Sequence, residues 1–319
     1  MSSRFFLDPW PPDYDSALQI DDAEAQSPAE VDIKVEAPEW KAIRCDGSGS
    51  RLLMCFVDGV RRVEARIISQ DADQVIYGLF GSTGVGTVLC RDGLAEMDLL
   101  DVRRYLIICH QKEKSESLRV GRTSLEFEGI ATAVNAPTEP LKSLHELMRR
   151  AEAELGQSLL SDDSCVFVDG PLTYYSVAKQ ALVGIIKRIH LLYVPRECLP
   201  LLAELRPGER TPLFLIRDNK LNRYSCYLRL AQPHRTEHPL AGIVRLELRA
   251  AVDLAKIISL VNYAAYELPR FASSPIRDAR APQNLVPIGA LEDELKRRMG
   301  DPLLIRRAIE QRIAEGVSV

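Results

Sequence analysis

The spacing of hydrophobic and polar positions predicts an α/β protein from about residue 50 onward. Residues 51–58 are mostly apolar and end in Asp-Gly, and the alternating segment 60–67 follows at once, which predicts two strands joined as a hairpin. Later segments with strand character are 164–168, 181–193, 211–217, 223–230 and 242–248.

Helical spacing marks one long segment in the middle of the chain and two segments at its end. Residues 138–160 carry an apolar stripe of Leu141, Leu144, Met148, Ala151, Leu155 and Leu159. Thr138 suits the cap of this helix and Pro140 its first turn. Near the C-terminus, residues 291–299 predict a helix that stops at Gly300, and Asp301-Pro302 predicts the start of another.

A glycine cluster lies at residues 81–86, with the sequence Gly-Ser-Thr-Gly-Val-Gly. It lacks the Gly-Lys-Ser/Thr ending of a phosphate-binding loop. The cluster therefore predicts a flexible hairpin tip and not a phosphate cradle.

The first 38 residues differ from the rest in composition. They are rich in Pro, Asp, Glu, Ser and Ala and show little hydrophobic periodicity, which predicts a disordered acidic arm before a single domain over 39–319. The aromatic residues Phe5, Phe6 and Trp10 leave two interpretations open, a short docking peptide or an unused tail.

Composition and charge restrict the class of protein. Hydrophobic residues make up 46% and charged residues 27%, and no apolar run reaches the roughly 18 residues of a membrane span. The seven scattered cysteines form no CxxC pair, and the start does not resemble a signal peptide, so we expect reduced thiols in the cytoplasm.

Net charge is −4, but ten of 45 acidic and only two of 41 basic residues lie in 1–40. Residues 41–319 therefore carry a net charge of +4, which leaves a nucleic-acid partner possible.

Two aspartates follow hydrophobic segments in the same way, in Phe56-Val-Asp58-Gly and Phe167-Val-Asp169-Gly. Ligands of α/β sheets gather outside the ends of the strands, where two such aspartates would converge. Taken alone, each Asp-Gly is equally an ordinary turn signal.

The long helix carries three glutamates that point in different directions, at about 100° per residue. Glu152 lies roughly 60° from the centre of the apolar stripe, Glu154 roughly 100° away, and Glu146 roughly opposite. Only Glu152 is placed to reach a site at the sheet edge, although a solvated position at the rim of the helix explains it as well.

The order is thus strand-Asp, hairpin strands, helix-Glu, strand-Asp, which is the arrangement of ribonuclease H-like nucleases. Three clustered carboxylates repel one another unless hard cations lie among them, so the cluster indicates a Mg²⁺ or Mn²⁺ site. Two such ions about 4 Å apart activate a water and stabilise the leaving oxygen in phosphodiester hydrolysis.

Five segments between about residues 50 and 305 share their pattern with a known family: Phe56-Val-Asp-Gly-Val-Arg-Arg62, Met148-Arg-Arg-Ala-Glu152, Val168-Asp-Gly-Pro-Leu172, Val183-Gly-Ile-Ile-Lys187 and the segment 280–292. In these segments the sequence resembles the NurA family of nucleases. The resemblance implies an RNase H-like mixed sheet flanked by helices, a homodimer and Mn²⁺-dependent cleavage of DNA. It also implies a HerA-like hexameric ATPase as partner, in DNA end processing or antiviral defence.

The resemblance further implies roles for individual residues. Asp58, Glu152 and Asp169 correspond to catalytic metal ligands, and Lys187 to a contact with DNA. One departure is that Pro282-Gln-Asn-Leu285 lacks the Tyr and His that archaeal members have near the C-terminus. A fourth ligand would then come from Asn284, Glu292 or Asp278. The missing His also leaves open a non-catalytic DNA-binding or adaptor subunit.

Overall fold

The computed structural model describes residues 5–7, 30–47, 52–71, 73–110, 113–175, 182–187, 189, 191–217, 221–233, 238–274, 276 and 281–315. The strands among them are β1 Phe5–Leu7, β2 Glu30–Asp32, β3 Ile43–Arg44, β4 Leu53–Asp71, β5 Gln74–Arg91, β6 Leu94–Cys109, β7 Glu116–Val120, β8 Thr123–Thr132, β9 Ser164–Asp169, β10 Leu182–Ile186, β11 Glu209–Arg210, β12 Phe214–Arg217, β13 Arg223–Arg229 and β14 Ile243–Arg249. The α-helices are α1 Glu139–Ser158, α2 Pro200–Glu204, α3 Leu254–Glu267, α4 Val286–Arg298 and α5 Pro302–Ala314. No α-helix in these ranges is long and apolar enough to cross a membrane.

One mixed sheet organises the fold, and its central strands run in the order β6-β5-β4-β9-β10. Strands β4, β9 and β10 are parallel, whereas β5 is antiparallel to both β4 and β6. Beyond β10 the sheet continues through antiparallel β14, β13, β12 and β2, and beyond β6 through β8 and β7. Helices pack on the sheet, so the predicted mixed sheet flanked by helices is confirmed.

The two faces of the central strands bury different sets of residues, because neighbouring side chains on a strand point to opposite sides. Phe56 and Phe167 stack with ring centroids 5.2 Å apart, in the core that includes α3 and α4. Val57 and Val168 lie in the core that includes Ala153 of α1. We call these sides the α4 face and the α1 face.

The hairpin expected at Asp58-Gly59 is wrong. Strand β4 runs without interruption from Leu53 to Asp71, and β5 pairs with it along almost its whole length, with one irregularity between Val63 and Ala65. Because β5 supplies hydrogen-bond partners on both sides of Asp58, the Asp-Gly pair remains extended and makes no turn. Asp58 therefore lies inside a strand.

The hairpin tip expected at the glycine cluster 81–86 is also wrong, since these residues are a buried part of β5. A methyl group added at Gly81 would lie 2.6 Å from a side-chain carbon of Leu144 in α1. One added at Gly84 would lie 3.3 Å from Leu295 in α4. The glycines thus allow helices to pack closely on both faces of the sheet.

Part of the predicted acidic arm belongs to the sheet. Strand β2 pairs with β12, and Glu36 accepts hydrogen bonds of 2.8 and 2.6 Å from the buried guanidinium of Arg210. Ordered structure therefore extends N-terminal to the expected boundary at residue 38. Strand β1 pairs with β4. Residues 8–29, with most of the predicted arm and Trp10, lie outside the described residues, and disorder there remains a prediction.

Candidate active site

Asp58 lies on the α4 face of β4, between Phe56 and Val60, and only 5% of its surface is exposed. Its Oδ2 is buried and has no hydrogen-bond partner among the described residues. Burial raises the pKa of Asp58 well above its usual range, and nearby Asp169, Glu152 and Glu292 raise it further, while Lys187 acts in the opposite direction. An ionised Asp58 therefore requires additional positive charge.

Asp169 is the last residue of β9, as the sequence predicts. Gly170 has a φ of +93°, a conformation that favours glycine, and turns the chain away from the sheet. In the parallel pair of β4 and β9, Val57 lies opposite Val168. Asp58 and Asp169 are the next residues on these two adjacent strands. The two carboxylates meet because β4 continues where β9 ends.

Glu292 of α4 completes a group of three carboxylates. Oxygen atoms of Asp58, Asp169 and Glu292 all lie within 4.8 Å of one another. Among the three candidates for an additional ligand, Glu292 is the one that reaches these aspartates. Asn284 instead accepts a hydrogen bond from Lys187, and Asp278 lies outside the described residues.

Glu152 lies in the middle of the buried side of α1, whereas Glu146 and Glu154 are exposed. The helical phase predicted this difference, but its estimate of Glu152 at the rim of the buried side is wrong. A methyl group added to Gly59 would lie 2.5 Å from Oε1 of Glu152. Glu152 therefore approaches β4 from the α1 face, and the structure does not bring it into the close group of Asp58, Asp169 and Glu292.

Arg149 connects Glu152 to the turn after β9, a role that the sequence reasoning missed. Its Nη1 donates to Oε2 of Glu152 at 2.6 Å and to the carbonyl of Asp169 at 2.8 Å. Its Nη2 donates to the carbonyl of Pro171 at 3.2 Å. One buried guanidinium thus fixes both the helix glutamate and the backbone that carries Asp169. The available signal was an Arg three residues before a glutamate on the same helix, a spacing at which the two side chains can interact.

Lys187 directly follows β10 and extends to the site. Its Nζ donates to Oδ2 of Asp169 at 2.7 Å and to Oδ1 of Asn284 at 2.6 Å. Asn284 is 1% exposed and precedes α4. The ammonium therefore lies between an aspartate of the site and a buried amide.

A comparison with models of protein families decides the classification. The model of the NurA domain matches residues 52–288, about three quarters of the chain. The chain belongs to the NurA domain family. The matched region contains Asp58, Glu152, Asp169 and Lys187, whereas Glu292 lies just beyond it.

Comparisons with individual proteins give more distant similarities. The crystal structure of the NurA nuclease from Sulfolobus solfataricus has a TM-score of 0.49 and 10% identity, over 87% of this chain and 88% of that one. The crystal structure of the catalytic domain of human endonuclease V has a TM-score of 0.32 and 14% identity, over 80% and 86% of the two chains. No curated protein sequence matches.

The chemistry of the carboxylate group fits a hard divalent cation. Asp58, Asp169 and Glu292 offer only oxygen atoms, the donors that Mg²⁺ and Mn²⁺ prefer. The buried, unpartnered Oδ2 of Asp58 and the mutual repulsion of the carboxylates both favour a bound positive charge. In this NurA-family chain the acidic triad is thus a possible metal site.

Proposed function

We propose that this protein is a metal-dependent DNA nuclease that hydrolyses phosphodiester bonds. The observation that carries the proposal is the buried meeting of Asp58, Asp169 and Glu292 within 4.8 Å in a chain of the NurA family. Asp58 and Asp169 serve as metal ligands and Glu292 as the further ligand, with Mn²⁺ or Mg²⁺ as the ion. Such ions, when bound, activate water and stabilise the leaving oxygen of a phosphodiester.

Glu152 is the third catalytic carboxylate and a metal ligand in this proposal. Glu152 contacts β4 at Gly59, on the face of the strand opposite to Asp58. Its negative charge raises the pKa of Asp58. Arg149 holds Glu152 and the turn after Asp169 in a fixed relation through three hydrogen bonds. Its guanidinium offsets part of the negative charge when no metal is bound.

Lys187 contacts the phosphate of the DNA. Its ammonium is held at the site by Asn284 as well as by Asp169, so it remains near the carboxylates when Asp169 binds a cation. A lysine is a compact positive charge that suits a phosphate oxygen. Positive charge at this position also lowers the pKa of Asp58 and so favours its ionised, metal-binding form.

We further propose that the protein acts in the cytoplasm as a homodimer on a HerA-like hexameric ATPase, in DNA end processing or antiviral defence. A net charge of +4 over residues 41–319 gives only a weak electrostatic hold on DNA at physiological salt. A motor that feeds DNA to the nuclease raises the local concentration of strands. Mass photometry with and without the ATPase, together with cleavage rates at rising salt, tests this partnership. A strictly monomeric protein that is fully active at physiological salt and indifferent to the ATPase would contradict it.

Binding of Mn²⁺ distinguishes a nuclease from a non-catalytic adaptor subunit. Isothermal titration of the full-length protein with Mn²⁺ is expected to show binding that Asp58→Ala and Asp169→Ala both abolish. The matched control is Asp293→Ala, which removes an exposed carboxylate beside Glu292. If the wild-type protein binds DNA but no Mn²⁺, it is an adaptor, and the proposed nuclease function is wrong.

A further inference from the structure

The hydroxyl group of Tyr175 is an unexplained polar atom beside the site. Tyr175 ends the short 3-10 turn Leu172–Tyr174 that follows β9, and it is 3% exposed. Its ring lies in the apolar core of the α1 face, with Val168 and Leu182. The hydroxyl oxygen is buried and has no hydrogen-bond partner among the described residues. Such a group destabilises a folded protein, so its presence requires another explanation.

The surroundings of this hydroxyl are the charges of the candidate active site. Burial raises the pKa of Tyr175 most strongly, Glu152 raises it next, and Asp58 and Asp169 add to the effect, while Arg149 opposes it. The hydroxyl is therefore kept protonated and is available as a hydrogen-bond donor. It lies within electrostatic range of all three catalytic carboxylates proposed above.

The position of the ring depends on Gly156, one helical turn after Glu152 on α1. A methyl group added at Gly156 would lie 3.2 Å from Cε1 of Tyr175. The glycine thus allows an aromatic ring to lie directly on the helix that carries Glu152. A phenylalanine would fill the same apolar space without burying a hydroxyl, so packing alone does not account for tyrosine.

We propose that Tyr175 is a positioning residue for Glu152, whose carboxylate receives a hydrogen bond from the Tyr175 hydroxyl in the metal-loaded site. This inference rests on the proposed nuclease function. Hydrogen-bond partners behind metal-binding groups fix the orientation of those groups, and their loss lowers metal affinity or activity about 10–100-fold. A hydrogen bond to Glu152 would give the buried hydroxyl the partner that it lacks among the described residues.

The substitution Tyr175→Phe tests this role by removing one oxygen atom. In the metal-free protein the melting temperature is expected to stay the same or rise, because a buried unpartnered hydroxyl is lost. Mn²⁺ affinity, measured by isothermal titration, is expected to fall about tenfold or more. Binding of labelled DNA in the presence of EDTA is expected to remain unchanged.

Tyr105→Phe is the matched control. Tyr105 is also 3% exposed, but its hydroxyl interacts with the side chains of Thr83 and Arg103. Loss of the Tyr105 hydroxyl is expected to lower the melting temperature and to leave Mn²⁺ affinity unchanged. For Tyr175→Phe we expect the reverse, an unchanged or higher melting temperature and a lower Mn²⁺ affinity.

Two results would overturn the inference alone, namely a Tyr175→Phe protein with wild-type Mn²⁺ affinity and cleavage rate, or one that is destabilised without metal. A wild-type protein that neither binds Mn²⁺ nor cleaves DNA would overturn the proposed function and this inference together.

Discussion

Glu152 and Gly59 are in direct contact, and this contact explains why a glycine follows Asp58 inside a strand. A methyl group at position 59 would lie 2.5 Å from Oε1 of Glu152 and 3.0 Å from its Cγ. Since Asp58 and Gly59 face opposite sides of β4, the glycine separates two carboxylates by a single layer of backbone. The usual turn-forming role of Asp-Gly does not apply, because Gly59 is not among the glycines with positive φ.

Gly59→Ala is expected to destabilise the protein by about 1–3 kcal/mol, as overpacked cores do, and to reduce cleavage of DNA by displacing Glu152. Chemical denaturation measures the first effect and a cleavage assay the second. Gly84→Ala is the comparison, because its methyl group would meet the Leu295 side chain at the longer distance of 3.3 Å. Equal stability of Gly59→Ala and wild type would show that Glu152 does not pack here.

Glu152→Gln is expected to lower the cleavage rate strongly, whereas Glu154→Gln should leave it near the wild-type value. The physical reason is that Glu152 is buried beside Asp58 and Glu154 is exposed on the same helix. Initial rates on a labelled DNA substrate in Mn²⁺ compare the two variants. Similar rates for both would mean that the side of α1 facing the sheet does not contribute to the chemistry.

Asp58 predicts a pH dependence of stability in the metal-free protein. Its folded-state pKa lies well above the value of about 4 expected in the unfolded chain. Between these two values the folded state binds more protons, so this group makes stability fall as pH rises from about 4 through the raised pKa. In Asp58→Asn this fall is absent.

Thermal unfolding with EDTA from pH 4 to pH 8 measures the effect. The stability advantage of Asp58→Asn over wild type is expected to grow with pH. A constant difference between the two proteins would show that Asp58 titrates as an ordinary carboxyl group.

The two aspartates that the sequence marks by the same Asp-Gly pattern differ in their local geometry. Asp169 lies at a strand end followed by a turn, as its pattern indicates, because Gly170 adopts a positive φ. The identical Asp58-Gly59 pattern remains within a strand, because β5 pairs with β4 on both sides of it. Whether an Asp-Gly turns depends on the partner strand, and that partner is not visible in the local sequence.

The roles of Arg149 and Glu292 depend on long-range contacts, which the local sequence does not show. Arg149 reads as an ordinary helix-surface residue until the turn after β9 provides the carbonyl groups of Asp169 and Pro171. Glu292 reaches Asp58 across more than 200 residues of sequence, and only the packing of α4 on the sheet selects it over the other candidates. Helix α3 was missed altogether, although Asp253 caps it by accepting from the backbone N–H groups of Ala255 and Lys256.

Glu292→Gln tests the carboxylate that the structure selects from the three sequence-based candidates for a further ligand. Loss of the Glu292 carboxylate is expected to weaken Mn²⁺ binding about tenfold or more, because one charged oxygen ligand is removed. The fold should stay intact, because the glutamine amide has nearly the same shape as the carboxylate. Asp293→Asn, the same change one residue further on the exposed side of α4, should bind Mn²⁺ like wild type. Isothermal titration of both variants provides the comparison, and equal affinities would remove Glu292 from the site.

The most direct test of the account is cleavage of labelled DNA by the purified protein, with Mn²⁺ or EDTA, for wild type, Asp58→Ala and Asp169→Ala. We expect wild type to cut the DNA only with Mn²⁺, and each alanine variant to lose cleavage while keeping the circular dichroism spectrum of the folded protein. Removal of either carboxylate eliminates a metal ligand, and removal of Asp58 also relieves the repulsion that its neighbours exert on this buried group. Near-normal cleavage by either variant at saturating Mn²⁺, or wild-type cleavage in EDTA, would contradict the proposed site.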